Sequence, residues 1–475
     1  MFYLVTLLLC AFSATKGQVI SGCPLYGCSP GGTFSLDSVI TSADVEVAWT
    51  AQLENSTTAA NVQLGCVSNE NNIVCPTSKG YVSLDPKTGK ELWRRDILVK
   101  PSLPIMDVNG DIIGSDGRSL VMIDGDGTTQ PVIKLNVPVD SIYSLNLLDI
   151  GAFLIVSKNG EVIAYLINGV PLASLILTGE VDGHDGIFHP MAQPVISGNR
   201  AYILTEFKPK AQNVSKKFST TGYYRMFAIG VVRRMTNIMF VAWEFTFSTE
   251  LCQPDDHRVH SNEIGRNASL VVTGNNILVS MATDPSSFVT CSSRDQSDMF
   301  WSIKDNGNSS ELMYSMPLLV STLSLYVANQ PKNRQHYTVR PGLLWTSPFS
   351  ESEEIIGMNL QNGTIAYKIA LSKYFGQNVS MTTNIMVGQN TNGTILIFGV
   401  QNGTKVRQNW ITGMQVANGA MSTTTTLWKL QVPVTGTFGG QVISFHAGPD
   451  DGDGVRLAVL STDSNISTLI TIKSK

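Results

Sequence analysis

Histidine and aspartate are the residues with the clearest chemical potential in this chain, because they occur together in two short segments. The candidate ligands of a divalent cation in these segments are His184, Asp185, His257 and His260. Aligning VISGN (195–199) with VVTGN (271–275) places His184 opposite His260 in adjacent repeats. Both would then lie in loops that enter the innermost strand of their repeats, near the mouth of a central channel. Imidazole and carboxylate groups that converge at this mouth could bind a metal or transfer protons. The alternative is that they are solvated loop residues that hydrogen-bond to their own turns.

Motifs for other chemistries are absent or incomplete. The sequence has no Gly-x-Ser-x-Gly, His-Glu-x-x-His or phosphate-binding loop. DGDG (124–127) and DDGDG (450–454) resemble parts of calcium loops without the full ligand pattern. A net charge of −4 and a pI near 5.9 give no argument for nucleic-acid binding. Because only 15% of the residues are charged, something other than charge must keep the protein soluble.

The element that must position any site is a β-hairpin in Gly80–Arg95, GYVSLDPKTGKELWRR. Pro86 favours a turn, and Gly89 can take the positive φ that closes a hairpin. Weaker copies of the hairpin recur at 119–135, 161–177, 225–245, 299–314, 354–369 and 394–410. Spacings of roughly 35–60 residues are in the range of propeller blades. Another strand pair precedes several copies, so each repeat is predicted to contain four strands.

The two ends of the chain are expected to close the ring. VEVAWTAQL (45–53) resembles the outermost strand of an internal repeat but precedes the first complete one. The C-terminal segment 440–472 supplies three strands and then stops. Joining them completes the last blade and removes open sheet edges. We therefore predict an all-β fold, a single propeller over residues 45–472 with eight four-stranded antiparallel blades, or alternatively seven.

The N-terminal residues predict export. Residues 1–17 contain an apolar run followed by small residues, which is typical of a secretory signal peptide. An uncleaved anchor is the alternative, but the run is too short to span a bilayer. No later segment is predicted to cross a membrane, so we expect a secreted, extracellular protein. Residues 18–44 then form a disulfide-bearing segment ahead of the propeller.

The number of cysteines also favours an extracellular location. Six cysteines remain outside the signal peptide, an even number that favours disulfides in an exported chain. Their local spacing predicts three bridges, namely Cys23–Cys28, Cys66–Cys75 and Cys252–Cys291. A structural zinc site is disfavoured, because no Cys-x₂-Cys pair exists.

Asn-x-Ser/Thr sequons are frequent. The nine acceptor candidates are Asn55, Asn213, Asn267, Asn308, Asn362, Asn378, Asn392, Asn402 and Asn465. A single sequon is a weak pattern, but nine of them behind a signal peptide predict a glycoprotein. Residues 57–211 contain none, so blades one to three are expected to be free of glycans.

The repeat resembles that of the pyrroloquinoline-quinone-type propellers. The likeness is sharp at residues 78–95 and diffuse over 45–472, where Trp49, Trp93, Trp243 and Trp410 carry it. The resemblance implies the fold more than the activity. Enzymes of that superfamily hold their quinone between a tryptophan and a disulfide of adjacent cysteines, beside calcium. This chain has no adjacent cysteines, so the resemblance implies no quinone cofactor here.

Three functions follow from these observations. The leading one is an extracellular binding or matrix-type structural glycoprotein whose partner, a protein or a glycan, docks on blades one to three. The second is a metal-dependent secreted enzyme with a site at the channel mouth around His184 and His260. The third is a quinone-dependent dehydrogenase, which the missing cysteine pair disfavours. We expect binding rather than catalysis.

Overall fold

The computed structural model describes most of the chain outside the N-terminus and several loops. The described residues are 22–55, 65–99, 101–107, 109–116, 118–131, 133–134, 142–148, 151–166, 168–210, 221–232, 238–248, 266–283, 299–317, 336–340, 343–347, 354–403, 408–417, 424–434, 436–447, 454–463 and 466–475. Their only helix is a single turn, α1 (Ser372–Phe375). No helix in this part of the chain is long and apolar enough to cross a membrane.

The strands form eight antiparallel sheets, the blades of a propeller. The first strand, β1 (Val45–Asn55), is the outermost strand of blade 8. Blade 1 contains β2 (Val67–Ser68), β3 (Ile73–Pro76), β4 (Tyr81–Leu84) and β5 (Glu91–Arg95), and blade 2 contains β6 (Ile105–Met106), β7 (Ile112–Ser115), β8 (Ser119–Ile123) and β9 (Ile133–Lys134). Blade 3 contains β10 (Ile142–Leu148), β11 (Ala152–Ser157), β12 (Glu161–Leu166) and β13 (Pro171–Ile176). Blade 4 contains β14 (Thr178–Val181), β15 (His184–Pro190), β16 (Val195–Ser197), β17 (Arg200–Pro209), β18 (Thr221–Val232) and β19 (Ile238–Ser248).

The remaining blades follow the same order from the axis outward. Blade 5 contains β20 (Arg266–Thr273), β21 (Asn276–Thr283), β22 (Met299–Asp305) and β23 (Ser310–Pro317), and blade 6 contains β24 (His336–Arg340), β25 (Leu343–Ser347), β26 (Glu354–Asn359) and β27 (Ile365–Ala370). Blade 7 contains β28 (Val379–Met381), β29 (Met386–Asn390), β30 (Gly393–Asn402), β31 (Gln408–Ala417) and β32 (Thr424–Val432). Blade 8 contains β33 (Thr437–His446), β34 (Val455–Asp463) and β35 (Ile466–Ser474), with β1 outermost. The predicted eight-bladed ring is confirmed, and seven blades are excluded.

Local turn chemistry builds the first hairpin. The carboxylate of Asp85 accepts hydrogen bonds from the backbone N–H of Lys87 at 2.9 Å and of Thr88 at 2.7 Å. Gly89 has φ of 69°, as its position in the turn requires. β4 and β5 therefore pair as the sequence predicted, and Trp93 is buried.

The ring closes through the N-terminal strand. β1 pairs antiparallel with β35 from Val45–Ser474 to Asn55–Ile466. The indole N–H of Trp49 donates to the carbonyl of Pro86, 3.1 Å away in the outer turn of blade 1. The strand pair thus completes the last blade, the half-buried ring of Trp49 joins that blade to the first, and the predicted closure is confirmed.

The same docking contact recurs between other blades. Trp93 donates to the carbonyl of Gly125 at 3.0 Å, and a Cβ added at Gly127 would lie 2.6 Å from the Trp93 ring. Trp243 donates to Asp305 of blade 5 at 3.1 Å. A tryptophan on an outer strand therefore packs on the last turn of the next blade.

One part of the repeat prediction is wrong. Residues 394–410 span β30 and β31, which are the second and third strands of blade 7 and not its outer hairpin. Trp410 is therefore on an inner strand, and the outer-strand tryptophan of blade 7 is Trp428. Asn-Gly at 402–403 resembled an outer turn, but here it follows the second strand.

Candidate functional site

The predicted metal-binding residues are only partly within the described chain. His184 begins β15, whose partner β14 precedes it across a turn at 182–183. The carbonyl of Asp185 accepts the backbone N–H of Lys210 at 3.0 Å. His184 thus lies in a strand that extends the innermost edge of blade 4, and not in a loop as predicted. Among the described residues no group of three or more His, Cys, Asp or Glu side chains could hold a metal.

The other half of that site lies outside the described residues. His257 and His260 belong to the segment between β19 and β20 that the structure does not describe. Their convergence with His184 stays a prediction. The DGDG sequence at 124–127 forms the outer turn of blade 2, where the carbonyl of Gly125 accepts from Trp93. This turn therefore has a docking role between blades.

His189, four residues after Asp185, has a structural contact. Its Nδ1 lies 2.7 Å from the carbonyl of Lys158 in blade 3. Burial lowers the pKa of His189, so the ring stays neutral near pH 7 and Nδ1–H donates to that carbonyl. His189 consequently ties the extension of blade 4 to the upper turn of blade 3.

The centre of the ring is occupied by the chain itself. We call residues 22–33 the axial segment and residues 34–44 the anchor. The axial segment meets the innermost strands through backbone hydrogen bonds, which are Cys23 with Ser68 in both directions at 2.9 Å, Met106 N–H to Pro24 at 2.8 Å, Ile196 N–H to Pro30 at 2.8 Å and Val272 N–H to Gly31 at 3.0 Å. These partners belong to blades 1, 2, 4 and 5.

Two buried amides hold the same segment. Gln441, which is 1% exposed, accepts the N–H of Gly27 at 2.8 Å and donates to the carbonyl of Leu25 at 3.2 Å. Asn146 donates to the carbonyls of Pro30 at 3.1 Å and Pro194 at 3.2 Å. These amides bring blades 8 and 3 into contact with the segment. The axial segment therefore contacts six of the eight blades.

The anchor packs differently. Phe34, Leu36, Val39 and Ile40 are buried in one hydrophobic cluster with blades 7 and 8. Leu36 donates to the carbonyl of Val387 at 2.8 Å on the innermost face of blade 7. The anchor thus belongs to the hydrophobic core, and it leads directly into β1.

Two of the three predicted disulfides are confirmed. Cys23 and Cys28 close a loop within the axial segment, and Cys66, immediately before β2, is joined to Cys75 in β3. Cys252 and Cys291 lie outside the described residues, so their pairing stays a prediction.

Four of the described sequon asparagines are exposed. We call the face with the connections between blades the upper face, and the opposite face the lower face. Asn308, Asn362 and Asn392 are exposed in lower turns, and Asn378 is exposed in the upper connection between blades 6 and 7. Asn402 is half-buried at the upper end of β30, where its amide donates to the carbonyl of Phe375. Asn213 and Asn465 lie outside the described residues, and Asn55 and Asn267 lie in β1 and β20.

Comparison with solved structures identifies the class of fold. The chain is similar to quinohemoprotein alcohol dehydrogenase ADHIIG from Pseudomonas putida HK5, with a TM-score of 0.60, 10% identity, and coverage of 96% of this chain and 80% of that one. The quinohemoprotein alcohol dehydrogenase from Comamonas testosteroni matches with a TM-score of 0.58 and 10% identity, over 97% of this chain and 82% of that one. A europium-containing methanol dehydrogenase matches with a TM-score of 0.58 and 12% identity, over 95% of this chain and 98% of that one.

The likeness defines the fold alone. The chain is an eight-bladed propeller, and its architecture is similar to that of these dehydrogenases, as the sequence resemblance implied. Identities of 10–12% carry no activity over. No protein-family profile and no curated protein sequence matches the chain.

The residues present do not fit the quinone of those enzymes. The sequence lacks the adjacent cysteine pair, and the axis contains the axial segment at close contact. A Cβ added at Gly31 would lie 2.5 Å from the carbonyl oxygen of Val272. Cysteine content and a Gly/Pro-rich composition were visible in the sequence, but no periodic pattern indicated that residues 22–33 would fill the channel.

Proposed function

We propose that this protein is a secreted, N-glycosylated propeller that binds an extracellular protein or glycan in a structural, matrix-type role. The observation that carries the proposal is the filled axis. A central channel is the usual concave site of such a ring, and here the chain's own backbone occupies it. The exposed outer surfaces are left as the main places for recognition.

The covalent features support the extracellular part of the proposal. Disulfides persist mainly in oxidising compartments, and two are present. Four sequon asparagines are exposed in turns, where a bulky hydrated glycan meets no steric obstacle. Glycans would also supply the solubility that a charged content of 15% does not.

The docking surface is proposed on blades one to three. This arc contains no sequon, and its upper face exposes Ile97 (41%), Val99 (71%) and Ile176 (55%). Exposed apolar side chains on a surface free of glycans favour contact with a partner. Blades 5 to 7, by contrast, have sequons on their turns.

Two measurements test the proposal. Expression in an animal cell line should deliver the protein to the medium, and removal of N-glycans should lower its apparent mass. Retention inside the cell without a mass shift would contradict export and glycosylation.

The second measurement places a glycan on the proposed surface. Glu161→Thr creates a sequon at Asn159, which is exposed in the upper turn between β11 and β12. Ser380→Ala is the matched control, because it removes the upper-face sequon at Asn378 without changing that residue. The captured partner should be lost from the first variant and retained by the second. The opposite result would place the docking surface elsewhere.

A further inference from the structure

The innermost strands of the blades present open edges toward the axis. An open edge offers unpaired N–H and C=O groups to another extended segment. The axial segment satisfies these edges in blades 1, 2, 4 and 5 with its own backbone. The segment itself is not a strand: the N–H of Cys28 donates to Leu25 and that of Gly32 to Ser29, so it crosses the channel in two tight turns and pairs with a strand only at Cys23 and Ser68.

We propose that the axial channel is a binding site for glycine- and proline-rich peptides that fold into tight turns, and that residues 22–33 are its resident ligand, bound in cis. The inference goes beyond the proposed docking surface on blades one to three, since it assigns a second site to the channel that the chain itself occupies. Most of the recognition is through the ligand's carbonyl groups, because Met106, Ile196 and Val272 each donate a backbone N–H to one of them.

Two positions of the site exclude a side chain, whereas Leu25 of the segment is buried in the surrounding core. A Cβ would lie 2.6 Å from the carbonyl oxygen of Ser68 at Gly22, and 2.5 Å from that of Val272 at Gly31. Pro24 and Pro30 lack an N–H, and both use their carbonyl oxygens as acceptors. A Gly/Pro-rich sequence therefore matches the site at each of these positions.

The ring has its own means of closure without the axial segment. β1 pairs with β35, and Arg456 and Trp49 both donate to the carbonyl of Pro86 in blade 1. The anchor, and not the axial segment, supplies the larger buried side chains at blades 7 and 8. Loss of the axial segment exposes edge groups that water can solvate and removes the buried contacts of Cys23 and Leu25, while the strand pairs within the blades and at the closure remain.

A steric substitution tests this in the full-length chain. Gly31→Val should expel the axial segment, because the new side chain collides with the backbone of β20. The probe is a fluorescent, oxidised synthetic peptide with the sequence of residues 22–33. The wild-type chain should not bind it, because the site is occupied, whereas the Gly31→Val chain should bind it with saturable anisotropy. The same peptide with valine in place of Gly31 should not bind.

A second substitution identifies the site. Adding Gln441→Ala should weaken peptide binding about tenfold, the loss expected for two ordinary hydrogen bonds. Gln401→Ala is the matched control, because that glutamine bonds to Asn409 within blade 7 and not to the axial segment. A folded Gly31→Val chain that ignores the peptide, or equal effects of the two glutamine substitutions, would overturn the proposal.

Hydrogen exchange in the unaltered protein covers the case in which Gly31→Val does not fold. The amides of Gly27, Met106 and Val272 should exchange through a local opening, faster than amides of β3 and β21. If they exchange only with global unfolding, the segment is an integral part of the core and the proposal is wrong. The peptide-binding and hydrogen-exchange tests are independent of the glycan test. If they contradict the peptide site, the proposed docking surface on blades one to three is not affected.

Discussion

Replacing Asp305 should destabilise the junction between blades 4 and 5. Its carboxylate is 7% exposed and accepts hydrogen bonds from four residues. The donors are Arg200 at 2.8 Å, Tyr202 at 2.7 Å, Trp243 at 3.1 Å and the backbone N–H of Gly307 at 2.6 Å. Asp305→Ala removes the acceptor and leaves Tyr202 and Trp243 without this partner, while Arg200, at 21% exposure, keeps only the carbonyl of Gly307.

The expected cost is about 3–5 kcal/mol, the range found when one member of a buried ion pair is deleted. Chemical denaturation followed by tryptophan fluorescence measures it, with Trp243 at the altered contact. Glu311→Ala is the matched control, because Glu311 is exposed and its carboxylate accepts a hydrogen bond from Asn306 in the same turn. A loss below about 0.5 kcal/mol for Asp305→Ala, or equal losses for the two variants, would refute the reasoning.

The pH dependence gives a second check on the same carboxylate. Burial acts to raise the pKa of Asp305, but its hydrogen-bond donors outweigh burial and hold the pKa below its ordinary value. A depressed folded-state pKa stabilises the protein above the unfolded value of about 3.9, and this stability is lost as the pH falls through the folded pKa. The difference between wild type and Asp305→Ala should therefore be constant from about pH 5 to 8 and shrink below about pH 4.

Three further predictions concern closure, metal and the third disulfide. Trp49→Ala should lower stability by about 1–3 kcal/mol, less than the loss of a fully buried tryptophan because the ring is half-buried, and an unchanged melting curve would mean that closure does not depend on it. Elemental analysis should find no stoichiometric metal in the purified protein; a metal lost from a His184→Ala, His260→Ala variant would support the alternative of a metal site. Non-reducing peptide mapping should find Cys252 joined to Cys291, and either one joined to another cysteine would contradict the pairing.

Features that depend on neighbouring residues could be predicted from the sequence. The turn at 85–89 has its own side-chain bonds, so the hairpin pattern was sufficient to place β4 and β5. Closure by residues 45–53 was also predictable, because a strand pattern without a complete repeat needs a partner sheet. Blade 7 was misassigned at 394–410 because Asn-Gly favours a tight turn in any hairpin, whichever strands it joins.

The axial segment could not be predicted for a physical reason. Its partners are the backbone groups of strands distant in sequence, such as β6, β16 and β20, and a backbone edge leaves no mark in the side-chain pattern. The glutamine that holds it, Gln441, is an isolated polar residue in an apolar strand. The hypothesis of paired histidines failed to find this feature because it considered side chains at the mouth of the channel and not the backbone within it.

One continuous N-terminal stretch fills the axis and then closes the perimeter. The axial segment leads through the anchor into β1, and β1 pairs with β35, which is the last strand in the chain. Ring closure therefore has to wait for the C-terminus, while the axial contacts to blades 1 and 2 can form earlier. Because the anchor is buried between blades 7 and 8, it must also dock late. Axis filling and ring closure are thus linked through residues 34–44, and this linkage keeps the resident peptide near its site even when the axial segment is released.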